Sequence, residues 1–376
     1  MKITDVIALQ LRVKSVENIF DGTQDVLVVV VKTDDGLEGI GEVVSSSYVA
    51  RAIVEAPRSG GGRHGIAEIV RGLDPLDIDG VWEAMKEGTG WYGRRGVAIH
   101  AMAGVDVALW DLKGKALGKP VHALLADEAR RPIRPYASVL WGDTVEDTRA
   151  LARDLVDRGF PAVKFGFGPI GTSLADDVAM VRAARETLQQ HDLMVDVGRR
   201  WSRDVARERC DALAGFDVQW IEEPLHPEDL EGYARLTASV PVPIAAAETE
   251  ETLDGFRAFL DAGVKVVQPD LGRVGLSQGM KIAAMARQYG ARCVPHCFGT
   301  GINTVASIHW MIATGNDLVE YPMRTNALCR ALVRGVPQVA GREVLVSDEP
   351  GLGISLDPQV VAEYRHLSVP VEAPAV

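Results

Sequence analysis

Ionisable side chains recur at a nearly regular spacing through the second half of the chain. Each follows a short apolar segment, and successive members are 22 to 32 residues apart. A single acid there would mean little, because acidic residues often cap helices. Seven in register indicate a repeating unit that brings polar groups to one place. The seven residues are Lys164, Asp196, Glu222, Glu248, Asp270, His296 and Glu320.

The types of these side chains fit acid–base chemistry beside a metal ion. Carboxylates that converge on one point suit a hard divalent cation such as Mg²⁺, which takes oxygen ligands and keeps positions for water and substrate. Without a cation, such a cluster would repel itself. A lysine, a histidine and an aspartate able to orient that histidine are the parts of a proton-transfer site. The sequence therefore predicts Mg²⁺-dependent proton transfer.

These groups need strands that all end at one face. From about residue 131 onward, short apolar strands alternate with amphipathic helices, and eight such strands run from Val139-Leu140 to Leu318-Val319. The alternation predicts a parallel sheet, and eight units predict a (β/α)8 barrel. Active sites of these barrels lie at the carboxyl ends of the strands, where we expect the seven groups.

The first third of the chain has another pattern. The β-branched run Val26–Val31 and the turn signal Asp34-Asp35-Gly36 predict strands. Over Ala98–Lys115, apolar residues recur with a helical period. We therefore predict a second lobe of mixed α and β structure before the barrel.

Composition narrows the class of protein. The 376 residues are 47% hydrophobic and 24% charged, which is ordinary for a globular protein. The formal net charge of −12 argues against a nucleic-acid partner. The four cysteines form no CxxC pair, and the chain shows neither a signal-like core at its N-terminus nor an apolar run long enough to span a bilayer. We expect a cytoplasmic protein that does not bind membranes.

Four segments resemble motifs of the enolase superfamily, in its mandelate racemase-like subgroup. They are Ala98–Lys115, Trp220-Ile221-Glu222-Glu223-Pro224, Gln268-Pro269-Asp270 and Val294-Pro295-His296. The resemblance implies a modified, (β/α)7β-like TIM barrel over residues 127–345. It also implies an α+β capping domain formed by residues 1–126 and completed by the tail, 346–376. A homo-oligomer, between a dimer and an octamer, is the expected assembly.

The resemblance also implies how the site works. Asp196, Glu222 and Glu248 are expected to bind one Mg²⁺ per subunit, with the substrate carboxylate completing the shell. His296, hydrogen-bonded to Asp270, is expected to remove the proton on the carbon next to that carboxylate. The product of this step would be an enediolate.

Other residues are expected to contact the substrate. Lys164 would support its negative charge. Glu320 would donate a hydrogen bond to its carboxylate if neighbouring groups keep Glu320 protonated. His226, a few residues beyond the fourth barrel strand, is a further candidate contact. Specificity is expected from the loops near residues 15–25 and 46–63.

Two positions depart from the family pattern. The second barrel strand often carries K-x-K, whose second lysine is a base, but here the motif reads Lys164-Phe165-Gly166. The third strand often carries D-x-N, but here it reads Asp196-Val197-Gly198. A single remaining base favours syn β-elimination of water from a sugar acid, as in acid-sugar dehydratases.

Alternatives stay open at this point. A racemase or epimerase, or a lactone cycloisomerase, would use the same scaffold. The general acid of a dehydratase could be His296 itself, His226, a loop residue or a metal-bound water. Gly166 and Gly198 leave a non-catalytic binding protein as a remote alternative.

Overall fold

Two large hydrophobic cores organise the chain, as seen in a computed structural model, and a smaller third cluster fills the inside of the barrel. One lies beneath an N-terminal antiparallel sheet, and the other surrounds a parallel barrel. The structure describes residues 1–16, 24–61, 63–126, 133–323, 326–337, 339–340, 342–344 and 347–365.

The N-terminal sheet has the strand order β1-β2-β3 and is antiparallel. Its strands are β1 (Ile3–Arg12), β2 (Asp25–Thr33) and β3 (Glu38–Val43). Helices of this region are α1 (Ser47–Glu55), α2 (Ile66–Val70), α3 (Ile78–Gly88), α4 (Val97–Leu117) and α5 (Val121–Leu125). The β-branched run in β2 is continuous because both faces are covered. Val26, Val28 and Val30 join the barrel core, whereas Leu27, Val29 and Val31 join the other core.

Helix α4 packs directly on β3, and glycines allow the close approach. A Cβ at Gly41 would stand 2.0 Å from the carbonyl oxygen of Gly104, so no larger residue fits there. The helix is one residue longer at its start and two at its end than predicted, and it ends at Gly118 in the left-handed conformation, with φ +63°.

Eight parallel strands alternate with seven helices in the barrel, which confirms the predicted (β/α)7β architecture. The strands are β4 (Arg134–Leu140), β5 (Ala162–Gly166), β6 (Asp192–Asp196), β7 (Val218–Glu222), β8 (Ile244–Ala246), β9 (Val266–Val267), β10 (Arg292–Cys293) and β11 (Leu318–Pro322). The helices between them are α6 (Val145–Asp157), α7 (Leu174–Leu188), α8 (Arg203–Leu213), α9 (Leu230–Thr237), α10 (Leu253–Asp261), α11 (Leu271–Gln288) and α12 (Gly301–Thr314), with a 3₁₀ turn at Ala214–Phe216.

The strand order in the barrel sheet is β10-β9-β8-β7-β6-β5-β4-β11. Since consecutive strands are neighbours and every ladder is parallel, all carboxyl ends reach the same face. Four of the predicted groups stand within their strands and not after them: Asp196 and Glu222 are the last residues of β6 and β7, and Lys164 and Glu320 lie in the middle of β5 and β11. Lys164 pairs with Ser138 in β5, and Glu320 pairs with Tyr136 in β11.

The last part of the chain returns to the N-terminal region. It contains α13 (Ala327–Ala331), β12 (Val333–Arg334), β13 (Val339–Ala340), β14 (Glu343–Val344), β15 (Ser355–Leu356) and α14 (Pro358–Tyr364). The backbone N–H of Leu352 donates to Asp111 in α4, and Arg365 forms a bridge with Leu11 in β1. Residues 127, 345 and 346, at the predicted domain boundaries, and 366–376 of the tail lie outside the described residues, as do 17–23 and 62 in the loops expected to set specificity.

None of the helices within the described ranges combines the length and apolar character needed to cross a lipid bilayer.

Candidate active site

A layer of apolar side chains fills the barrel beneath the candidate site. Successive side chains of a strand point to opposite faces, so residues two apart share a face. Five of the predicted site residues therefore stand above the buried interior residue that lies two positions earlier in the chain. These site residues are Lys164, Asp196, Glu222, His296 and Glu320. These interior residues are Ala162, Met194, Trp220, Val294 and Leu318. The layer closes the barrel from below, and the polar groups face its open, carboxyl end.

Three carboxylates follow neighbouring strands at this end. Asp196 and Glu222 are the last residues of β6 and β7 and face each other in the ladder, and Glu248 stands two residues beyond β8. Glu222 is held from below, since its Oε2 accepts hydrogen bonds from Trp220 Nε1 at 2.9 Å and Gln268 Nε2 at 2.7 Å. The predicted ligands thus share one rim of the barrel.

Lys164 lies among these carboxylates. Its Nζ is 2.5 Å from Glu222 Oε1, 2.8 Å from Glu320 Oε1 and 3.7 Å from Asp196 Oδ2. Burial alone would lower the pKa of this ammonium group, but Glu222 and Glu320 raise it well above its ordinary value. Lys164 is therefore a fixed positive charge at the rim.

The carboxylates match a hard cation by donor type, because each offers oxygen atoms to the same rim. Burial and the charge of Glu222 raise the pKa of Asp196 well above its ordinary value, although Lys164 opposes the shift. This crowding of negative charge is what a divalent cation would relieve. Within the described ranges, no three His, Cys, Asp or Glu side chains are arranged to hold a metal ion. The Lys164 ammonium contacts Asp196 and Glu222, and His296 lies beside Glu248.

Asp270 and His296 form a hydrogen-bonded pair. Asp270 Oδ2 lies 2.7 Å from His296 Nδ1, and the opposite ring nitrogen, Nε2, lies 3.7 Å from Glu248 Oε2. The carboxylate fixes the orientation of the ring and leaves Nε2 toward the rim. Burial would lower the pKa of His296, but Glu248, Asp270 and Glu320 raise it to about 10.

Asp270 itself is held by groups that the sequence patterns did not indicate. Its Oδ1 accepts from the backbone N–H of Gly272 at 2.8 Å and from Asn303 Nδ2 at 3.1 Å. Asn303 lies in the first turn of α12, 33 residues farther along the chain. Among the described residues that support Glu222 and Asp270, Gln268, which donates to Glu222, belongs to one of the motifs quoted from the sequence; Gly272 and Asn303 do not.

Glu320 joins the two ends of the barrel sheet. Its Oε2 accepts a hydrogen bond from the backbone N–H of Cys297, just beyond β10, at 2.8 Å. Burial would raise the pKa of Glu320, but the positive charges of Lys164 and His296 outweigh it and lower the pKa. The lowered pKa favours the ionised form of Glu320, which accepts a hydrogen bond from Cys297; its role as a donor to the substrate stays a prediction.

A cavity of about 250 Å³ opens above these groups. Its lining residues are Ser138, Val139, Leu140, Lys164, Gly166, Phe167, Asp196, Glu248, His296 and Phe298. His226 is not among them: it is exposed, and its Nδ1 accepts from the N–H of Glu228 at 3.4 Å. The structure thus brings four of the predicted groups to the cavity wall, with Glu222, Asp270 and Glu320 behind it.

The chain is similar to enzymes of known activity over almost its full length. It is 33% identical to a D-galactarolactone cycloisomerase of Agrobacterium fabrum, with 92% of each chain covered. It is also 33% identical to a D-galactonate dehydratase of Ralstonia pickettii, with 89% of each covered. Among solved structures, the 3,6-anhydro-D-galactonate cycloisomerase of Zobellia galactanivorans matches with a TM-score of 0.88 and 28% identity, over 98% of this chain and 100% of that one.

Family models match both parts of the chain. Residues 9–126 match the N-terminal domain of the mandelate racemase/muconate lactonizing enzyme family, and residues 147–360 match the enolase C-terminal domain-like family. Together with the capped (β/α)7β barrel and the rim of acidic groups, these matches show that the chain belongs to the mandelate racemase-like branch of the enolase superfamily.

Proposed function

We propose that this protein is a Mg²⁺-dependent dehydratase of sugar acids. The observation that carries the proposal is a single oriented nitrogen base, His296, whose Nδ1 is held by Asp270. Lys164, the other nitrogen base among the described lining residues, is ion-paired with Glu222 and Glu320 and stays protonated. The names of the relatives, which include galactonate, arabinonate and rhamnonate dehydratases, support the same reaction class.

One base on one face is sufficient for elimination. The carboxylates of Glu248, Asp270 and Glu320 raise the pKa of His296, and a cation held by Glu248 would offset part of this charge and favour the neutral imidazole. Neutral His296 Nε2 takes the proton from the carbon next to the substrate carboxylate, and Asp270 stabilises the imidazolium that forms. As the enediolate expels the β-hydroxyl group, the imidazolium returns a proton to that oxygen, so that water leaves and His296 is neutral again. Loss of hydrogen and hydroxyl from the same face makes the elimination syn. The enol product then tautomerises to a 2-keto-3-deoxy acid.

We assign one Mg²⁺ per subunit to Asp196, Glu222 and Glu248, whose side chains would have to turn toward a common point to bind it, since they are not arranged around one in the structure. When bound, the ion would counter the charge of these carboxylates and act as a Lewis acid toward the substrate carboxylate. Lys164 balances the charge of Glu222 and Glu320 at the same rim. Of the other predicted contacts, His226 would need a movement toward the cavity to reach substrate.

We further propose the expected organisation of the protein. The capping domain comprises residues 1–126 and the tail 346–376, and the barrel comprises residues 127–345. The separate family matches to 9–126 and 147–360 support the first boundary. A homo-oligomer in the cytoplasm remains the proposed setting.

The test is to incubate the protein and Mg²⁺ with four- to six-carbon aldonic and aldaric acids and to assay 2-keto acid. In parallel, NMR in D₂O follows exchange of the α-proton. A keto acid from one or more members is the expected result. Deuterium appearing with both configurations, without keto acid, would identify an epimerase. Absence of both exchange and product across the library would instead favour a non-catalytic binding protein.

A lactone cycloisomerase is the second candidate. Two cycloisomerases are among the similar proteins, and a single base also serves a reaction in which the ring oxygen is the leaving group. Incubation with sugar-acid lactones separates the two candidates, since isomerisation changes the NMR spectrum of the lactone without releasing water. A racemase is less well supported, because it needs a base on each face and Gly166 stands where the second lysine would be.

A further inference from the structure

Phe167 stands at the cavity in an unusual backbone conformation. It directly follows β5, and its φ of +54° lies in the left-handed region, which bulky residues rarely adopt. Phe167 is one of the residues that line the cavity. The backbone N–H of Phe167 donates to the carbonyl oxygen of Asp196 at 3.3 Å, which ties this turn to the end of β6.

The Phe167 ring occupies the space that a side chain at position 198 would need. A Cβ built on Gly198 would stand 2.6 Å from Phe167 Cε1 and 3.0 Å from Cδ1. Gly198 has a φ of +55°, a conformation that asparagine tolerates better than most other residues. The aromatic ring, more than the backbone, therefore excludes a polar side chain from this position.

Arg200 holds the turn from the other side. Its guanidinium carbon lies 5.8 Å from the centre of the Phe167 ring, and its Nη1 donates to the carbonyl oxygen of Gly168 at 2.8 Å. A cation over an aromatic face is attracted by the electrons of the ring. Arg200 therefore contacts both the Phe167 ring and the backbone of the turn that carries it.

The rest of the cavity wall is also apolar. Setting aside the four ionisable groups already assigned, the described lining residues are Ser138, Val139, Leu140, Gly166, Phe167 and Phe298. Only Ser138 among them has a polar side chain. The Phe298 ring stacks on His296 with centroids 6.0 Å apart. A substrate hydroxyl placed against this wall would lose its hydrogen bonds to water and gain few in return.

We infer that Phe167, made possible by Gly198, selects sugar acids whose distal end is apolar. On the proposed dehydratase function, the preferred substrate carries a terminal methyl group where other sugar acids carry a hydroxymethyl group or a second carboxylate. The carboxylate end needs the charged rim, and the methyl end fits the wall formed by Phe167 and its apolar neighbours.

The experiment uses three substrates with the same stereochemistry at C2 to C5: a 6-deoxyhexonate, the hexonate and the hexarate. This set is prepared for each stereochemical series tested. Specificity, kcat/KM, is measured with Mg²⁺ for wild type and for the variants Phe167→Ala, Gly198→Asn and the double variant. Wild type should prefer the deoxy acid by about 10-fold or more. Phe167→Leu, which keeps an apolar wall, should retain that preference.

The variants separate steric exclusion from general damage. Gly198→Asn alone should lose activity with all three acids, because its side chain meets the Phe167 ring. Phe167→Ala should bring the preference toward unity. In the double variant the asparagine has room, so activity should recover relative to Gly198→Asn and shift toward the hydroxylated acids. Phe165→Leu is the matched control, since Phe165 stacks on Trp141 and is not a lining residue, and its preference should equal that of wild type.

Binding to the His296→Asn variant distinguishes this inference from the reaction class. Titration calorimetry gives the affinity of each acid without turnover. Tighter binding of the deoxy acid would support the inference. If, in addition, wild type forms keto acid from none of the acids, that second result would overturn the proposed dehydratase activity but not the inferred specificity. Equal affinities or equal kcat/KM for the three acids, an unchanged preference in Phe167→Ala, or no binding of any acid would overturn the inference.

Discussion

Asn303 donates a hydrogen bond from its side-chain Nδ2 to Asp270 Oδ1 at 3.1 Å. The carboxylate that orients His296 is therefore itself oriented by the first turn of α12. Asn303 also accepts from the N–H of Gly272 at 3.1 Å and donates its own backbone N–H to Glu42 in β3 at 3.1 Å. A continuous set of hydrogen bonds thus runs from the N-terminal sheet to His296.

Replacing Asn303 should weaken turnover more than substrate binding. We expect Asn303→Ala to lower kcat by about 10- to 100-fold, with a smaller change in KM, because Asp270 loses a partner while the cavity wall is unchanged. Steady-state kinetics on an active sugar acid measures both constants. Asn303→Gln, which can restore the amide, should recover part of the loss. If Asn303→Ala lowers the free energy of unfolding but leaves kcat unchanged, the role of Asn303 is purely structural.

Glu42 should make stability depend on pH. Burial raises the pKa of Glu42 to about 7, although hydrogen bonds from Thr300 and Asn303 oppose the shift. The folded protein then binds a proton that the unfolded chain releases at lower pH. The contribution of Glu42 to stability is therefore greatest below about pH 4.5 and declines as pH rises to about 7. Denaturant titrations give the free energy of unfolding of wild type and of Glu42→Gln. The value for wild type minus the value for the variant should fall by on the order of 3 kcal/mol between pH 4.5 and pH 7.5. A difference independent of pH would contradict this reading.

His296 should be needed for proton removal but not for metal binding. His296→Asn is expected to reduce α-proton exchange in D₂O by about 100- to 10,000-fold, since no nitrogen base remains on that face. NMR follows the exchange, and calorimetry should give an unchanged Mg²⁺ affinity. Exchange at the wild-type rate in this variant would remove His296 from the mechanism.

Glu222 should be needed for the metal. Excess chelator is expected to abolish activity, and Mg²⁺ should restore it. Glu222→Gln should bind Mg²⁺ more weakly by calorimetry, because a neutral amide replaces one of three carboxylates. Glu228→Gln is the matched control, since Glu228 is exposed and outside the lining residues. Full activity in the presence of chelator would refute the metal requirement.

Asp111 should be needed for stability. Its carboxylate is buried in α4 and accepts hydrogen bonds from Ile40 N, Leu352 N and Lys115 Nζ at 2.6 to 2.9 Å. Asp111→Ala leaves the backbone N–H groups of Ile40 and Leu352 without this acceptor, whereas Lys115 keeps the carbonyl oxygen of Glu38, and the change should lower the free energy of unfolding by about 3–5 kcal/mol. Asp111→Asn, which keeps one oxygen, should cost less. Chemical denaturation measures both, and a loss below about 1 kcal/mol in the alanine variant would contradict the role.

The sequence by itself was enough to predict the barrel and the seven groups at its rim. Strand–helix units of similar length recur, and parallel strands bring their carboxyl ends to one face, so residues such as Asp196 and His296 come together whatever the details of packing. The capping lobe and the family followed from local motifs. Those conclusions depend on short sequence motifs and on the regular spacing of the strand–helix units, and both are visible in the order of the residues.

The tertiary structure decided what depends on contacts between distant residues. Asn303 and Glu42 lie 261 residues apart and carry no shared pattern, yet they meet beside Asp270. The lowered pKa of Glu320 follows from its contact with Lys164, and His226 is exposed in the turn that carries it. The sequence alone does not explain why a glycine stands at position 198. In the structure, the Phe167 ring occupies the space that a side chain at this position would need. Packing and electrostatics depend on distances of a few ångströms between side chains, which residue order alone does not contain.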